Sequence, residues 1–341
     1  MTSKTPAKAS RRTFVKGSAA ATAAVASGFP LIAKGAPLHK LRIATLAPVG
    51  STWEKAFQQI KREVKEKTDG AVAIKIYAGG TMGDEPAMVR KMRTGQLDGA
   101  AVTNVGLGVI NRQLLMLQLP MLFRNYSELD RVRNAMSGTF EGLLEKEGFL
   151  LDGNWGDVGF TYLFSNTPIR VPDDAKKTKM WKWEADPVSD TVMKVTGVNA
   201  VPLAVPDVMS SLQTGMIDAY LNSPYGAIAL QWYTKARYIT DLKLAMTIGG
   251  SVLSVKSWEK LSPEIQQILH DVSRAKNKAL LKRIRRDNKK AMTALVDKGI
   301  EVIKPENFGA WKTVADKVRT ELTGSVFEPA LIDELMGHLG R

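Results

Sequence analysis

The sequence predicts an α/β protein made of two similar α/β units followed by one long helix. Three observations support this class. Strand-like and helix-like segments alternate over residues 41–102, a similar alternation returns over residues 158–221, and a helical pattern continues over residues 262–298. Alternating strands and helices are typical of a parallel sheet covered by helices. A chain of 341 residues is long enough for two such units.

The first unit begins with a short apolar strand that ends at Pro48 and Gly50. Ser51 or Thr52 can cap the amphipathic helix that follows, because a side-chain oxygen there accepts a hydrogen bond from a free backbone N–H group. Glycines at 79, 80 and 83 then break the chain before the next helix. The predicted order is strand 41–46, helix 53–68, strand 71–77, helix 85–94 and strand 97–102.

The second unit starts after Trp155 and shows a similar alternation. A turn at Thr167 and Pro168 separates its first two strands. The predicted order is strand 158–165, strand 178–183, helix 187–195, strand 198–203, helix 206–214 and strand 216–221.

The long helix has clear signals at both ends. Ser262 is a suitable N-cap, Pro263 stands at the first helical position, and Gly299 ends the pattern. A helix of about 36 residues spans about 54 Å at 1.5 Å per residue. This length is enough to cross two small lobes, so we expect the helix to brace them.

The first 35 residues are predicted to be a cleaved twin-arginine signal peptide that exports the protein to the periplasm. A basic segment contains Arg11 and Arg12, and an uncharged Ala-rich segment follows up to Ile32. That apolar segment is shorter than the roughly 20 residues needed to span a membrane. Removing residues 1–35 lowers the net charge from +14 to +8, since they contain six basic and no acidic residues.

The composition argues against most catalytic and metal sites. The chain has no cysteine, and its three histidines, His39, His270 and His338, are far apart in sequence, so no metal and no cofactor are expected. It has no G-x-S-x-G motif, and the glycines of 79–83 lack a Walker lysine. We therefore predict that it is not an enzyme. An exported enzyme remains the alternative, as does a ligand sensor with the same fold.

Six segments together form a pattern that resembles a known family. They are residues 45–48 (Thr-Leu-Ala-Pro), 67–70 (Lys-Thr-Asp-Gly), 82–85 (Met-Gly-Asp-Glu), 119–124 (Leu-Pro-Met-Leu-Phe-Arg), 168–174 (Pro-Ile-Arg-Val-Pro-Asp-Asp) and 212–218 (Leu-Gln-Thr-Gly-Met-Ile-Asp). In order and spacing, over residues 41–325, the chain resembles the periplasmic solute-binding proteins of TRAP transporters, the DctP family.

This resemblance implies a fold of the periplasmic binding protein type, with two α/β lobes joined by hinge strands and one solute in the cleft. The solute is then delivered to the TRAP membrane permease subunits. The implied division is a first lobe over 40–154 with a chain return at about 245–255, a second lobe over 155–244, the long helix over 262–298, and C-terminal helices over 299–341 that pack on the lobes.

The departures from the family pattern concern the ligand. Relatives that take small carboxylates usually have arginine at the positions of Trp181 and Thr161, and a guanidinium fork is what clamps a carboxylate. A family acidic residue is Leu221 here, beside a matching Asn222, which removes a ligand of the metal that some relatives hold. The sequence therefore favours an aromatic or apolar solute and resembles a subgroup that works with a tetratricopeptide-repeat partner.

The predicted ligand-binding residues are mostly aromatic, because indole and phenol rings offer apolar area and one polar handle each. Trp181 and Trp183 alternate with Lys182 in a strand and so should share one face. Each also has a structural alternative, such as core packing for the tryptophans or helix capping for Glu85 and its neighbour Asp84. The predicted set is Trp155, Phe160, Thr161, Trp181, Trp183, Tyr220, Asn222, Tyr225, Glu85 and Asn104.

A basic run over residues 276–290 is the main charged feature of the mature chain. Nucleic acid is not an expected partner, because no aromatic residues alternate with these charges for base stacking. Contact with anionic lipid head groups or with the permease is the favoured alternative to a solvated helix face.

Overall fold

The computed structural model describes residues 37–341, without the side chain of Asn154. The predicted signal peptide and its export route lie outside these residues. Within the described range the chain forms nine strands: β1 (His39–Thr45), β2 (Val72–Tyr77), β3 (Gly99–Thr103), β4 (Phe149–Ser165), β5 (Met180–Lys182), β6 (Ala200–Pro202), β7 (Ala219–Asn222), β8 (Tyr238–Ser254) and β9 (Glu301–Ile303).

The helices surround these strands. The α-helices are α1 (Thr52–Lys67), α2 (Glu85–Arg93), α3 (Asn104–Ile110), α4 (Tyr126–Ala135), α5 (Ser137–Lys146), α6 (Pro187–Thr196), α7 (Val205–Thr214), α8 (Pro224–Ala229), α9 (Val255–Trp258), α10 (Pro263–Asp297), α11 (Phe308–Leu322) and α12 (Pro329–Leu339). Short 3-10 helices occupy Arg112–Gln118, Pro172–Lys177 and Trp232–Lys235.

All nine strands belong to one mixed sheet, in the order β2-β1-β3-β8-β4-β7-β5-β6, with β9 beside β8. β1 pairs in parallel with β2 and β3, and β5 pairs in parallel with β6 and β7. Between these two groups lies the antiparallel pair of β4 and β8. The α/β class predicted from the sequence is therefore confirmed.

The two long strands, β4 and β8, run through both halves of the sheet, and each has 17 residues. The later part of β8 pairs with β3, whereas its earlier part pairs with the part of β4 that also contacts β7. Their register shifts at three places, between positions 151 and 163 of β4. The predicted lobe boundaries, 154/155 and 244/245, fall within these strands and stay predictions.

The long helix α10 forms over the range predicted from the sequence and contacts several elements of the fold. Asp287 accepts a hydrogen bond from Thr52 Oγ1 of α1 at 2.8 Å. Asn288 Oδ1 accepts one from the backbone N–H of Tyr225 in α8 at 3.1 Å, and its amide donates to Val158 O of β4 at 2.8 Å. One turn of α10 therefore ties together elements from both ends of the sheet. As predicted, Ser262 caps the helix.

The C-terminal helices pack at different places. α12 packs against α4, and α11 packs against α6. Leu335 and Leu339 of α12 join the apolar cluster that contains Phe140, while Trp311 of α11 packs in a cluster with Leu163 of β4. Among the residues 37–341, no helix combines the length and apolarity that a membrane crossing requires.

Close packing between β4 and α10 depends on Gly153. Its φ is +80°, and a Cβ there would lie 2.4 Å from Cβ of Ser273. Beside it, Asp152 is buried, and its Oδ2 accepts a hydrogen bond from Ser273 Oγ at 2.7 Å. The other oxygen, Oδ1, has no hydrogen-bond partner among the described residues. Burial raises the pKa of the Asp152 carboxyl to about 7.

This carboxyl makes stability depend on pH. Its pKa is higher in the folded than in the unfolded chain, so its contribution is fully present below about pH 4 and is lost as the pH rises to 7. We expect Asp152→Asn to remove that loss. The free energy of unfolding of the variant, relative to that of the native protein, should then rise by up to roughly 1.4 kcal/mol per pH unit between pH 4 and 7. Urea unfolding at several pH values measures this, with Asp271→Asn on the same helix as Ser273 as the matched control. A difference that stays constant with pH would contradict the prediction.

Candidate functional site

A cavity of about 160 Å³, the first cavity, lies where the carboxyl ends of the parallel strands meet. In open α/β sheets ligands bind in the crevice outside the carboxyl ends of the strands. Residues 45–48 at the end of β1, Thr103 at the end of β3 and Asn222 at the end of β7 line it together with the middle of β4 and one face of α10.

Three tryptophans form one wall of the first cavity. The ring of Trp181 lies 5.4 Å from that of Trp183 and 5.2 Å from that of Trp232, measured between centroids. Trp181 is 7% exposed, and its Nε1 donates to Leu203 O at 3.1 Å. Since β5 ends at Lys182, the prediction that both indoles sit in one strand is wrong for Trp183, although the two rings do meet.

Asp84 connects the indole wall to α2. It caps that helix by accepting from the backbone N–H of Glu85 at 2.9 Å. Its Oδ2 also accepts from Nε1 of Trp183 at 2.7 Å and from the backbone N–H of Val205 at 3.2 Å. Burial raises the pKa of this carboxyl. These bonds join α2 to the segment that follows β5 and to the first residue of α7.

Glu85 is completely buried beside the first cavity. Its Oε1 accepts from the backbone N–H of Thr103 at 2.8 Å, and its Oε2 accepts from Thr103 Oγ1 at 2.9 Å and from the backbone N–H of Gly106 at 2.7 Å. Burial raises the pKa of Glu85 to about 7, although these hydrogen bonds act in the opposite direction. The group therefore offers a hydrogen-bonding carboxyl rather than a fixed negative charge.

Within the described part of the chain, no lysine, arginine or histidine side chain lines the first cavity. The two acidic residues that line it are Glu85 and Asp157. Asp157 is paired with Arg133 and Arg285, each at 2.7 Å, so these nearby cations are already neutralised. A carboxylate solute would find no free cation in this wall.

Lys182 and Arg170, two basic residues near Trp181 in the sequence, are engaged elsewhere. Lys182 Nζ lies 2.5 Å from Asp190 Oδ1, and Lys182 does not line the first cavity. Arg170 is exposed and lies 3.6 Å from Glu306. Residues 37–341 also contain no group of three acidic, histidine or cysteine side chains placed to hold a metal ion.

Five of the ten predicted site residues line the first cavity. They are Glu85, Thr161, Trp181, Trp183 and Asn222. Thr161 Oγ1 donates to Ala245 O at 3.3 Å, and Asn222 Oδ1 accepts from the backbone N–H of Ser223 at 2.8 Å. Asn222 pairs with Tyr162 at the end of the β4–β7 ladder, and Thr161 is the neighbouring residue of β4.

The other five lie outside the lining of this cavity. Trp155 packs edge-on against Phe140, Phe160 packs against Tyr126, and Tyr220 stacks on Phe164 with 5.0 Å between centroids. Asn104 is buried and accepts from the backbone N–H of Ile248. The Tyr225 hydroxyl bonds to Thr52 at the start of α1. All five side chains are thus engaged in the fold, but Trp155 Nε1, Tyr220 OH and Asn104 Nδ2 are buried without a hydrogen-bond partner among the described residues.

Sequence reasoning missed several lining residues. Trp53 lies in the first turn of α1, and its Nε1 donates to Asp157 O at 3.1 Å. Trp232 begins a 3-10 helix and packs on Trp181. Leu280 reaches the cavity from α10. Of these, only Trp53 carried a usable signal, because a large aromatic residue directly follows the helix cap after β1.

Comparison with known proteins identifies the family. The model of the DctP family, described as bacterial extracellular solute-binding protein, family 7, matches residues 43–324. The chain belongs to the DctP family. The resemblance seen in the sequence is thereby confirmed, whereas the tetratricopeptide-repeat subgroup is not tested.

Two relatives show how far the similarity extends. A solute-binding protein of Chromohalobacter salexigens is 28% identical over 222 residues, which are 64% of this chain and 65% of the relative. The C4-dicarboxylate-binding periplasmic protein DctP of Rhodobacter capsulatus is 23% identical over 266 residues, which are 76% of this chain and 79% of the relative.

Solved structures show the same fold. A TRAP periplasmic solute-binding protein from Ralstonia eutropha with bound (S)-2-acetolactate has a TM-score of 0.83 at 20% identity, covering 88% of this chain and 98% of that one. One from Chromohalobacter salexigens with bound D-glucuronate has a TM-score of 0.81 at 22% identity, covering 87% of this chain and 98% of that one. The DctP-family chain therefore has the fold of TRAP periplasmic solute-binding proteins.

Proposed function

We propose that this protein is the periplasmic solute-binding subunit of a TRAP-type transporter and that it captures a small aromatic or apolar organic solute in the first cavity. The observation that carries the solute class is the wall itself, in which indole rings stand and no cationic side chain is present among the described lining residues. Burial of apolar surface is then the main source of affinity.

The solutes named for similar proteins are acids. D-Glucuronate, succinate and orotic acid are bound in three of the solved structures. A carboxylate needs a charge-assisted hydrogen bond, most effectively from an arginine fork. The first cavity offers Trp181 and Thr161 instead, and its nearest arginines are paired with Asp157. We therefore place this chain among the family members with a different solute class.

The wall can supply enough energy to close a cleft. Burying about 200 Å² of solute apolar surface at about 25 cal/mol per Å² contributes about 5 kcal/mol before ordering costs. Moving a two-state equilibrium from 1:99 to 99:1 needs about 5.5 kcal/mol of differential binding. In this proposal the solute contacts both halves of the sheet and stabilises the closed state, which the permease recognises.

The proposal extends to export and partners. The twin-arginine signal would carry the protein to the periplasm, and the TRAP permease subunits would receive its solute. A tetratricopeptide-repeat protein is a further proposed partner. The basic run supplies an exposed surface on α10 for a permease or lipid head groups, although Arg285 turns inward to Asp130 and Asp157.

Ligand binding tests this function directly. We expect neutral aromatic and other uncharged apolar compounds to give saturable changes in tryptophan fluorescence and a rise in Tm, and succinate and D-glucuronate to bind much more weakly. Trp183→Phe should reduce the fluorescence change, whereas the matched control Trp258→Phe, outside the cavity lining, should keep it. Tight binding of succinate or D-glucuronate, with no response to any apolar compound, would overturn the solute class.

A further inference from the structure

A second cavity, of about 170 Å³, lies beside the first. Six residues line both cavities and so mark where the two spaces adjoin: Thr103, Thr161, Trp181, Trp183, Leu221 and Thr247. The two spaces are therefore adjacent across the indole pair. Of the residues predicted from the sequence, Thr161, Trp181 and Trp183 line this second space, and all three are shared with the first cavity.

The remaining lining of the second cavity is mostly apolar. Val192 and Met193 of α6 face it from one side, and Trp311, Val314 and Ala315 of α11 face it from another. Protein interiors are close-packed and contain few voids larger than a water molecule. A space of this size between two packed helices is thus large enough to hold part of a ligand.

The polar groups in this lining are bonded to one another. Asp186 Oδ1 accepts from Gln118 Nε2 at 2.7 Å, and Asp186 also accepts from Ser189 Oγ. Lys182 is paired with Asp190. Because these groups already have partners, the cavity offers its occupant mainly apolar contact. The lining of the first cavity includes Glu85 and Asn222, whose oxygen atoms also accept hydrogen bonds from the protein, three at Glu85 and one at Asn222 Oδ1.

We propose that the second cavity is a subsite that takes the apolar tail of an elongated amphiphilic solute, whose hydrogen-bonding head group lies in the first cavity between Glu85, Asn222 and the indoles. This inference rests on the proposed function. Ligand sites for drug-sized molecules occupy roughly 300–1000 Å³. Neither cavity reaches that volume alone, whereas a solute that extends past the shared residues would occupy both.

The test is a series of 4-alkylphenols, from phenol to 4-hexylphenol, titrated by isothermal calorimetry. We expect the affinity to rise about fourfold for each added methylene group, because each buried CH₂ group contributes about 0.8 kcal/mol. Val192→Phe should fill the second cavity and lower the ratio of 4-hexylphenol to phenol affinity at least tenfold. Ala315→Leu fills it from the opposite side and should act in the same direction, which covers the case that one variant does not fold.

Lys194→Phe is the matched control, because it introduces the same ring on an exposed position of α6 and should keep the native ratio. If phenol and all the alkylphenols bind with affinities that do not depend on tail length, the subsite is overturned and the proposed function stays intact. A native ratio in both folded cavity-filling variants would also overturn it. If neither phenol nor any alkylphenol binds, the apolar solute class fails as well.

Discussion

Asp157→Ala is expected to lower the free energy of unfolding by up to about 3–5 kcal/mol, because it removes the buried partner of Arg133 and leaves that cation only the half-exposed Asp130. The Asp157 side chain is fully buried and accepts from Arg133 Nη1 and from Arg285 Nε, each at 2.7 Å. Arg133 is only 5% exposed, so water does not replace the lost carboxylate. Arg285 retains Asp130 as a partner.

Urea unfolding measures the effect, and the same cluster provides the control. Asp130 also contacts both arginines but is 41% exposed, so Asp130→Ala should cost about 1 kcal/mol or less. Adding Arg133→Met to Asp157→Ala should recover part of the loss, since it removes a buried cation that Asp130 alone would compensate. Equal losses for Asp157→Ala and Asp130→Ala would contradict this account.

The same cluster explains why the cavity has no free cation. Burial alone would lower the pKa of Arg285. Hydrogen bonds to Asp130 and the charge of Asp157 outweigh this effect and raise that pKa above its usual range. Arg133 and Arg285 are both paired with carboxylates of the protein. Asp157 also accepts a hydrogen bond at its backbone oxygen from Trp53, so the cluster positions part of the cavity wall.

Elements with strong local signals were predicted well from the sequence. Ser262 and Pro263 mark the start of α10, and the helix ends at Asp297, close to the predicted 298. Ser51 caps α1 by accepting from the backbone N–H of Glu54. In both helices the capping group and the apolar periodicity act within a few residues, so tertiary packing does not alter the outcome.

The two long strands were largely missed, for a physical reason. The segment over residues 152–159 contains Gly153, Gly156 and Gly159 and therefore resembles a loop. In the fold these glycines allow close approach: a Cβ on Gly159, which has a φ of +134°, would lie 2.6 Å from Asn288 Nδ2. The strand continues because β8 and α10 supply its partners, which lie far away in the sequence.

The site could be predicted in part. Trp181 and Trp183 were found because the resemblance places position 181 in the cleft, and both line the first cavity. Trp155, Phe160 and Tyr220 fit the same aromatic composition but pack in the core. Composition does not distinguish a ring that faces a cavity from a ring that faces another ring, because that difference arises only in tertiary packing.

Trp181→Arg is expected to exchange one solute class for another. The substitution places a cation at the cavity wall, where the described residues of the native protein offer none. Loss of the indole surface should weaken binding of aromatic and apolar solutes at least tenfold. Two charge-assisted hydrogen bonds of about 1.5–3 kcal/mol each would in turn bind succinate or D-glucuronate with a Kd between about 6 mM and 40 μM.

The buried charge that Trp181→Arg introduces is also expected to change the stability of the protein. Trp181 is 7% exposed and packs on Trp232, so an arginine there is desolvated without a carboxylate partner. The variant should therefore melt at a lower Tm than the native protein, and succinate or D-glucuronate should restore part of the difference because they pair with the new cation. Calorimetric titration and thermal melts measure both effects.

Trp181→Phe is the matched control, since it keeps an aromatic ring and adds no charge. It should retain binding of apolar solutes and acquire no affinity for succinate. Unchanged affinity of Trp181→Arg for an apolar solute would remove Trp181 from the binding site. Acid binding that appears equally in Trp181→Phe would show that space, and not charge, excludes acids from the native cavity.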